Sequence, residues 1–256
     1  MMVSRIDLNS DLGESFGPWQ MGDDPAMLSI VNSANVACGG HASDPETMFL
    51  TLKLAVERGV IVGAHPGYAD RERFGRRIIP MSNDEIERLI ASQIGALMGV
   101  AALAGTTVQY VKPHGALGNL AAADRAVADA VVRAVKAISS DMAVLAISGT
   151  EFERAAKDMG LPTYSEIFAD RAYQSNGQLV PRKQPGAVLH DATEASDRLI
   201  SFLETGHMPC LEGGTVQLEA HSICVHGDSP GAVEMAAHIR QCLVDRKIDV
   251  RSFLDA

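Results

Sequence analysis

Aromatic side chains are scarce in this 256-residue sequence, at 5% of the total and with a single tryptophan, Trp19. Basic residues are also in the minority. Lysine and arginine number 22 against 32 aspartates and glutamates, giving a formal charge of −10. A chain with so little clustered positive charge and so few stacking rings is not expected to bind nucleic acid or an anionic membrane surface. Cysteine is sparse as well. Cys38, Cys210, Cys224 and Cys242 are widely spaced and form no Cys-x-x-Cys pair, so reduced thiols are expected rather than a disulfide framework. No stretch reaches the roughly 18 uninterrupted apolar residues of a membrane span, and the first residues lack the apolar run of a signal peptide. A cytoplasmic protein is therefore expected. No G-x-x-x-x-G-K-[ST] motif occurs, so ATP binding through a P-loop is not expected.

What is present is an alternation of short β-rich runs with helical patterns. Residues 3–9, 33–37, 60–64, 107–111, 142–147, 164–168 and 222–225 read as strands. Ser43-Asp44-Pro45-Glu46 reads as a capping box opening a helix that Gly59 stops. Ser82-Asn83-Asp84-Glu85 opens a second helix, which Gly105 closes. Residues 121–138, 151–159, 192–204 and 232–244 carry further helical periodicity. This βαβα order predicts a parallel sheet, either closed as a barrel or open and doubly wound. Residues 173–188 break the rhythm with Asn176-Gly177 and two prolines, and predict an irregular excursion or hairpin. With no linker composition anywhere, one domain over 1–256 is expected.

Position carries the functional signal. Nearly every predicted strand ends in Asp, Asn, His, Lys or Gly, and the carboxyl ends of parallel strands form the ligand-binding face of α/β folds. Asp7, Asn9 and Asp11 recur at alternate positions and so share one strand face, while Ile6, Leu8 and Leu12 take the other. Glu14 follows in the next loop. The second strand runs into Cys38-Gly39-Gly40-His41, and Cys38 reads as a small buried residue rather than a nucleophile. Later strands end at His65, at Lys112-Pro113-His114, and at His226-Gly227-Asp228. A lysine beside a histidine suits anion binding or acid–base work, and His226 with Asp228 would make an acid–base pair. His41, His65, His114 and Asp11 could surround a divalent metal ion, although no His-x-His or His-Glu-x-x-His spacing supports one.

These motifs together resemble the LamB/YcsF family, the A subunit of bacterial ATP-dependent 5-oxoprolinase. Asp7–Glu14, Asn35–Gly39 with His41, Gly63–Gly67, Phe74–Arg77, Lys112–Leu117, Glu166–Tyr173 and Cys224–Asp228 match its blocks in order. Gly40, Ser43, Arg73 and Gly118 depart from its usual residues. The resemblance implies a distorted β/α barrel of about seven parallel strands, related to glycoside hydrolases and deacetylases. It implies cleavage of 5-oxo-L-proline to L-glutamate, with ATP as co-substrate and subunits B and C as partners. It also implies Asp11, His65, Lys112, His114, His226 and Asp228 as catalytic candidates. Asn9, Glu14, His41, Arg76, Glu166, Arg171 and Arg182 become substrate-binding candidates. The competing readings are a metal-dependent deacetylase or amidohydrolase acting alone, and a non-catalytic substrate-binding subunit.

Overall fold

A computed structural model describes residues 4–226 and 231–255. Its elements run β1 (Arg5–Leu12), α1 (Asp24–Met27), β2 (Ser33–Ala37), α2 (Pro45–Arg58), β3 (Ile61–His65), a short 3₁₀ turn, α3 (Asn83–Ala104), β4 (Tyr110–Val111), α4 (Gly115–Ala123), α5 (Arg125–Ile138), β5 (Ala143–Ile147), α6 (Glu151–Asp158) and β6 (Thr163–Phe168). Then follow α7 (Ala192–Thr205), β7 (His207–Pro209), β8 (Thr215–Gln217), β9 (Ser222–Cys224), α8 (Ala232–Asp245) and β10 (Asp249–Val250). Strands β1 to β6 and β9 pair in parallel, and β9 pairs back onto β1, closing a seven-stranded barrel. This settles the choice between an open sheet and a closed one. The short β10 lies beside the start of β1, while β7 and β8 make a separate antiparallel hairpin.

The alternation along β1 divides the molecule into two interiors. Ile6, Leu8 and Leu12 point outward into an apolar layer shared with the helices, where all three are at most 2% exposed. Asp7, Asn9 and Asp11 point into the barrel, where they form a polar column from floor to mouth beside an apolar cluster of Tyr110, Ala143, Leu145 and Phe253. At the floor, Asp7 accepts from the Ser33 and Ser222 hydroxyls. One layer up, Asn35 Nδ2 donates to Asn9 Oδ1 at 2.7 Å and to Asp11 Oδ1 at 2.9 Å, and the Tyr110 hydroxyl donates to Asn35 Oδ1 at 2.6 Å. Each buried polar atom in this column therefore has a partner of opposite hydrogen-bonding sense, which burial demands.

Several local expectations change. β1 extends to Leu12, which keeps Asp11 inside the strand. The cap of α2 is Asp44, whose carboxylate accepts from Glu46 N and Thr47 N; Ser43 instead adopts a left-handed φ of 76°. The predicted helix over 121–138 is two helices. Asp124 interrupts it in an extended conformation and caps α5 by accepting from Ala126 N and Val127 N. The capping box at Ser82 and the left-handed stop at Gly105 are present as predicted. Residues 173–188 contain no helix and are tied by isolated bridges such as Tyr173 to Leu179. Helix α3 is long and apolar enough in composition to cross a membrane. Its buried residues, Ile86, Ile90, Ile94, Leu97 and Ala101, form one stripe at helical spacing, and the helix packs on α2, α5 and β3.

Candidate active site

The carboxyl ends of the barrel strands open into a cavity of about 750 Å³. At its base Lys112, only 5% exposed, follows β4. Its ammonium group reaches Glu166 Oε2 at 2.6 Å, Asp11 Oδ1 at 3.1 Å, Cys224 Sγ at 3.1 Å and Asn9 Oδ1 at 3.2 Å. Burial opposes its charge, but Asp11, Cys224 and Glu166 outweigh that penalty and hold its pKa well above the ordinary lysine value. Asp11 is the mirror case. Burial alone would raise it, yet His65 and Lys112 hold it well below the usual carboxylate range. Glu166 follows burial instead and is raised, with Lys112 only partly offsetting. One buried cation thus stands between two carboxylates of unequal proton affinity.

Three imidazoles lie beside this group. His65, at the end of β3, donates from Nδ1 to the Lys112 carbonyl at 2.6 Å, and its Nε2 lies 3.3 Å from Asp11 Oδ2. His114, at the N-terminus of α4, donates from Nε2 to the Phe74 carbonyl at 2.9 Å. Its Nδ1 lies 3.0 Å from His65 Nε2. His41 stacks on His114, with ring centroids 3.5 Å apart and planes within 3°. His41 Nε2 lies 3.0 Å from Glu14 Oε1, and its Nδ1 is buried without a hydrogen-bond partner. Burial and neighbouring histidines push both His41 and His114 well below the ordinary histidine pKa.

Close backbone packing fixes these rings. Gly75 has φ 62°, and a β-carbon there would lie 2.7 Å from His41 Cβ and 2.9 Å from His114 Cδ2; glycine supplies both the conformation and the space. The Gly75 carbonyl accepts from Ala116 N at 2.9 Å, tying this loop to the start of α4. Gln93 reaches in from α3 and brackets Gly67, accepting from its N–H at 3.1 Å and donating to its carbonyl at 2.7 Å. Gln93 Oε1 also fills the space that a side chain at position 40 would need.

The other predicted residues divide clearly. His226 lines the cavity, and its Nδ1 lies 2.8 Å and 2.9 Å from the two oxygens of Asp170. The predicted partner, Asp228, lies outside the described residues; Asp170, two residues past the end of β6, holds the ring. Burial would raise Asp170, but His226 keeps it below its ordinary range. Arg76, Arg171 and Arg182 all border the cavity. Arg171 is buried and donates to the Val180 carbonyl at 2.6 Å and the Ala187 carbonyl at 3.3 Å, anchoring the 173–188 excursion. Asn9 and His41 stand behind the cavity wall and touch residues that line it. Cys38 donates to the Val36 carbonyl, and burial pushes its thiol up to about 12, so the non-nucleophilic reading holds. Asp7 sits at the barrel floor. There it accepts from serine hydroxyls.

Among the described residues, two sets of side chains bring metal-ligating atoms within 4.8 Å of one another: Glu14, His41, His65 and His114, and separately Asp11, Cys224 and His226. A possible metal-binding group therefore exists, and it involves Glu14 as well as the histidines anticipated from sequence.

Comparison with known proteins identifies the family and the scaffold. The chain is 50% identical over 251 residues to a 5-oxoprolinase A subunit of Agrobacterium fabrum, covering 98% of each chain. It superposes on the crystal structure of a lactam utilization protein from Thermus thermophilus with a TM-score of 0.91 and 39% identity, covering 97% of this chain and 99% of that one. A T48 deacetylase aligns at 13% identity and a TM-score of 0.51 over 98% of this chain and 89% of that one, which speaks for the barrel scaffold alone. The LamB/YcsF family model matches residues 6–256, and the chain belongs to the LamB/YcsF family.

Proposed function

We propose that this chain is the lactam-binding A subunit of an ATP-dependent 5-oxoprolinase, acting with partner subunits B and C on 5-oxo-L-proline. The observation that carries this reading is the buried Lys112 ammonium between Asp11 and Glu166, next to the imidazoles and open to a cavity bordered by Arg76 and Arg182. Relatives that carry the name of an A subunit support an assembly of several chains.

The chemistry accounts for the need for ATP. A lactam is resonance-stabilised, so water adds to its carbonyl carbon slowly. Transfer of the ATP γ-phosphoryl group to the lactam oxygen, assigned here to the partner subunits, makes that carbon an electrophile. Water then adds, the ring carbon–nitrogen bond breaks with a proton delivered to nitrogen, and a second water releases phosphate, leaving glutamate. Asp11, kept ionised, takes the proton from water. His226, oriented by Asp170, delivers the proton to the leaving nitrogen, while His114, whose Nε2 proton is held by the Phe74 carbonyl, positions the site. Lys112 stabilises negative charge on the oxygen as the tetrahedral centre forms. Arg76 and Arg182 offer guanidinium groups to the substrate carboxylate or the phosphoryl group. Arg171 contributes by shaping the wall.

The test is ATP-dependent glutamate release from 5-oxoproline by the reconstituted complex. Asp11→Asn, His114→Ala and His226→Ala should each lower turnover, by roughly 10²–10⁴-fold for loss of an acid or base. Wild-type rates in Asp11→Asn and His114→Ala would overturn the assignment. Chelator-sensitive amide cleavage by this chain without ATP would favour the stand-alone hydrolase instead.

A further inference from the structure

Two imidazoles in the site face each other through their second ring nitrogens. His65 Nδ1 is 2.6 Å from the Lys112 carbonyl oxygen and His114 Nε2 is 2.9 Å from the Phe74 carbonyl oxygen. A carbonyl oxygen only accepts hydrogen bonds, so each of these nitrogens carries its ring's proton. In the neutral rings that leaves His65 Nε2 and His114 Nδ1, 3.0 Å apart, as two acceptors set against each other. Both residues are buried, at 1% and 5% exposed, so the repulsion is poorly screened. Carboxylate oxygens close around the same point. Asp11 Oδ2 lies 3.3 Å from His65 Nε2, and Glu14 Oε1 lies 3.6 Å from His114 Nδ1. Ligands held about 2.1 Å from a divalent ion stand roughly 3.0 Å apart in an octahedral arrangement and about 3.4 Å apart in a tetrahedral one. The imidazole pair at 3.0 Å and the Asp11 oxygen at 3.3 Å fall in that range, and the Glu14 oxygen at 3.6 Å lies just beyond it.

We propose that His65 Nε2, His114 Nδ1 and the Glu14 carboxylate bind one divalent transition-metal ion, with the Lys112 and Phe74 carbonyls fixing the two ring tautomers. Carbonyl acceptors behind ligating imidazoles are how such sites orient their rings. His41 is a positioning residue. Its ring is parallel to that of His114, 3.5 Å away, so their in-plane lone pairs run side by side and do not converge on one ion. Donation from His41 Nε2 to Glu14 Oε1 at 3.0 Å turns the carboxylate toward the imidazole pair. The other donor set is already committed: Cys224 Sγ faces the Lys112 ammonium, and His226 Nδ1 is held by Asp170. Zinc or a similar ion bound here supplies a Lewis acid at the wall of the cavity, within reach of a carbonyl oxygen or a water molecule.

The proposal concerns ion binding and is read without substrate, so it stands or falls separately from the lactam assignment. The full chain, stripped with chelator and dialysed, is titrated with Co²⁺ and followed by visible absorption, with bound Zn²⁺ counted by elemental analysis. One ion per chain is expected, with cobalt d–d bands and no thiolate charge-transfer band. Glu14→Gln, which preserves shape, and His114→Ala should abolish stoichiometric binding. His41→Asn should retain the bands with affinity about 10–100-fold weaker, and Cys224→Ser should bind as wild type. Thermal melting of each variant separates lost binding from lost folding. Less than half an ion per chain in the wild type would overturn the proposal. So would undiminished binding in a folded Glu14→Gln variant, or a thiolate band abolished by Cys224→Ser.

Discussion

Replacing Lys112 with methionine keeps the length of the side chain and removes one buried charge. The ammonium lies 3.1 Å from Asp11 Oδ1 and 2.6 Å from Glu166 Oε2. At an effective dielectric constant of about 20 these separations correspond to attractions of about 5 and 6 kcal/mol. Burying the ammonium costs several kcal/mol in return, so the pair is only modestly favourable as a whole. Deleting one member is another matter, because it strands two carboxylates in the barrel. The expected loss is about 3–5 kcal/mol at pH 7.5, which corresponds to a fall in melting temperature on the order of 10 °C for a chain of this size. The sign with pH follows from the same charges. In the wild type Asp11 has a lowered pKa, so its stabilising contribution is complete above its unfolded value and is lost only as pH falls through the lower folded one. Without Lys112 the stranded carboxylates gain protons readily, and the gap between variant and wild type should shrink between pH 7.5 and 5. Urea unfolding at both values measures it. Adding Asp11→Asn to Lys112→Met should recover part of the loss. A gap below about 1 kcal/mol at pH 7.5, or one that widens on acidification, would refute the reasoning.

Two further outcomes are expected. Burial raises Asp7 to about 7 despite its bonds to Ser222 and Ser33. The native state therefore holds a proton that the unfolded chain releases near pH 4, and stability should decline as pH rises from about 4 to 7. The decline amounts to at most about 4 kcal/mol at 1.36 kcal/mol per unit; Asp7→Asn should flatten that slope in pH-dependent unfolding, and an unchanged slope would place the titration elsewhere. Gly75→Ala forces a β-carbon against His41 and His114 at a left-handed φ. It should cost about 1–3 kcal/mol and lower glutamate release beyond what its stability loss explains, as melting and turnover measured together would show.

Much of the barrel is legible because two periodicities coexist in one chain. The pattern marks β2 residue for residue at Ser33–Ala37, and the alternation in β1 correctly puts Asp7, Asn9 and Asp11 on one face. Parity is less useful after β4. Pro113 intervenes and α4 begins at Gly115, so Lys112 and His114 meet through loop geometry instead of sharing a strand face. The break at Asp124 is masked by alanine-rich flanks that continue a helical pattern across it, although aspartate before a helix is a recognised cap. The pairing of His226 with Asp170 joins residues 56 positions apart. It depends on β6 and β9 being neighbours in the closed barrel, and strand order is not written in local periodicity. The nearby Asp228 is therefore the natural partner to expect. Glu14 reads in the sequence as a loop carboxylate, but its convergence with three histidines depends on loops from four different strands.

The barrel floor bears on how the molecule is made. β1 is translated well before its partner strand β9, which begins at Ser222, and its edge partner β10, which begins at Asp249. The hydroxyls that satisfy Asp7 come from Ser33 and Ser222, and Ser252 lies 3.3 Å from Ser33 behind them. Phe253 packs against Tyr110, and Arg5 donates to the Ser252 carbonyl at 2.5 Å. During synthesis β1 thus waits with one edge unpaired, and with a carboxylate lacking half its partners, until β9 has been translated. Closure is a late, long-range event of the kind that slows folding and exposes strand edges to other chains. The nascent barrel is a natural client for chaperones, and a ribosome stalled before residue 222 would hold a chain that cannot close.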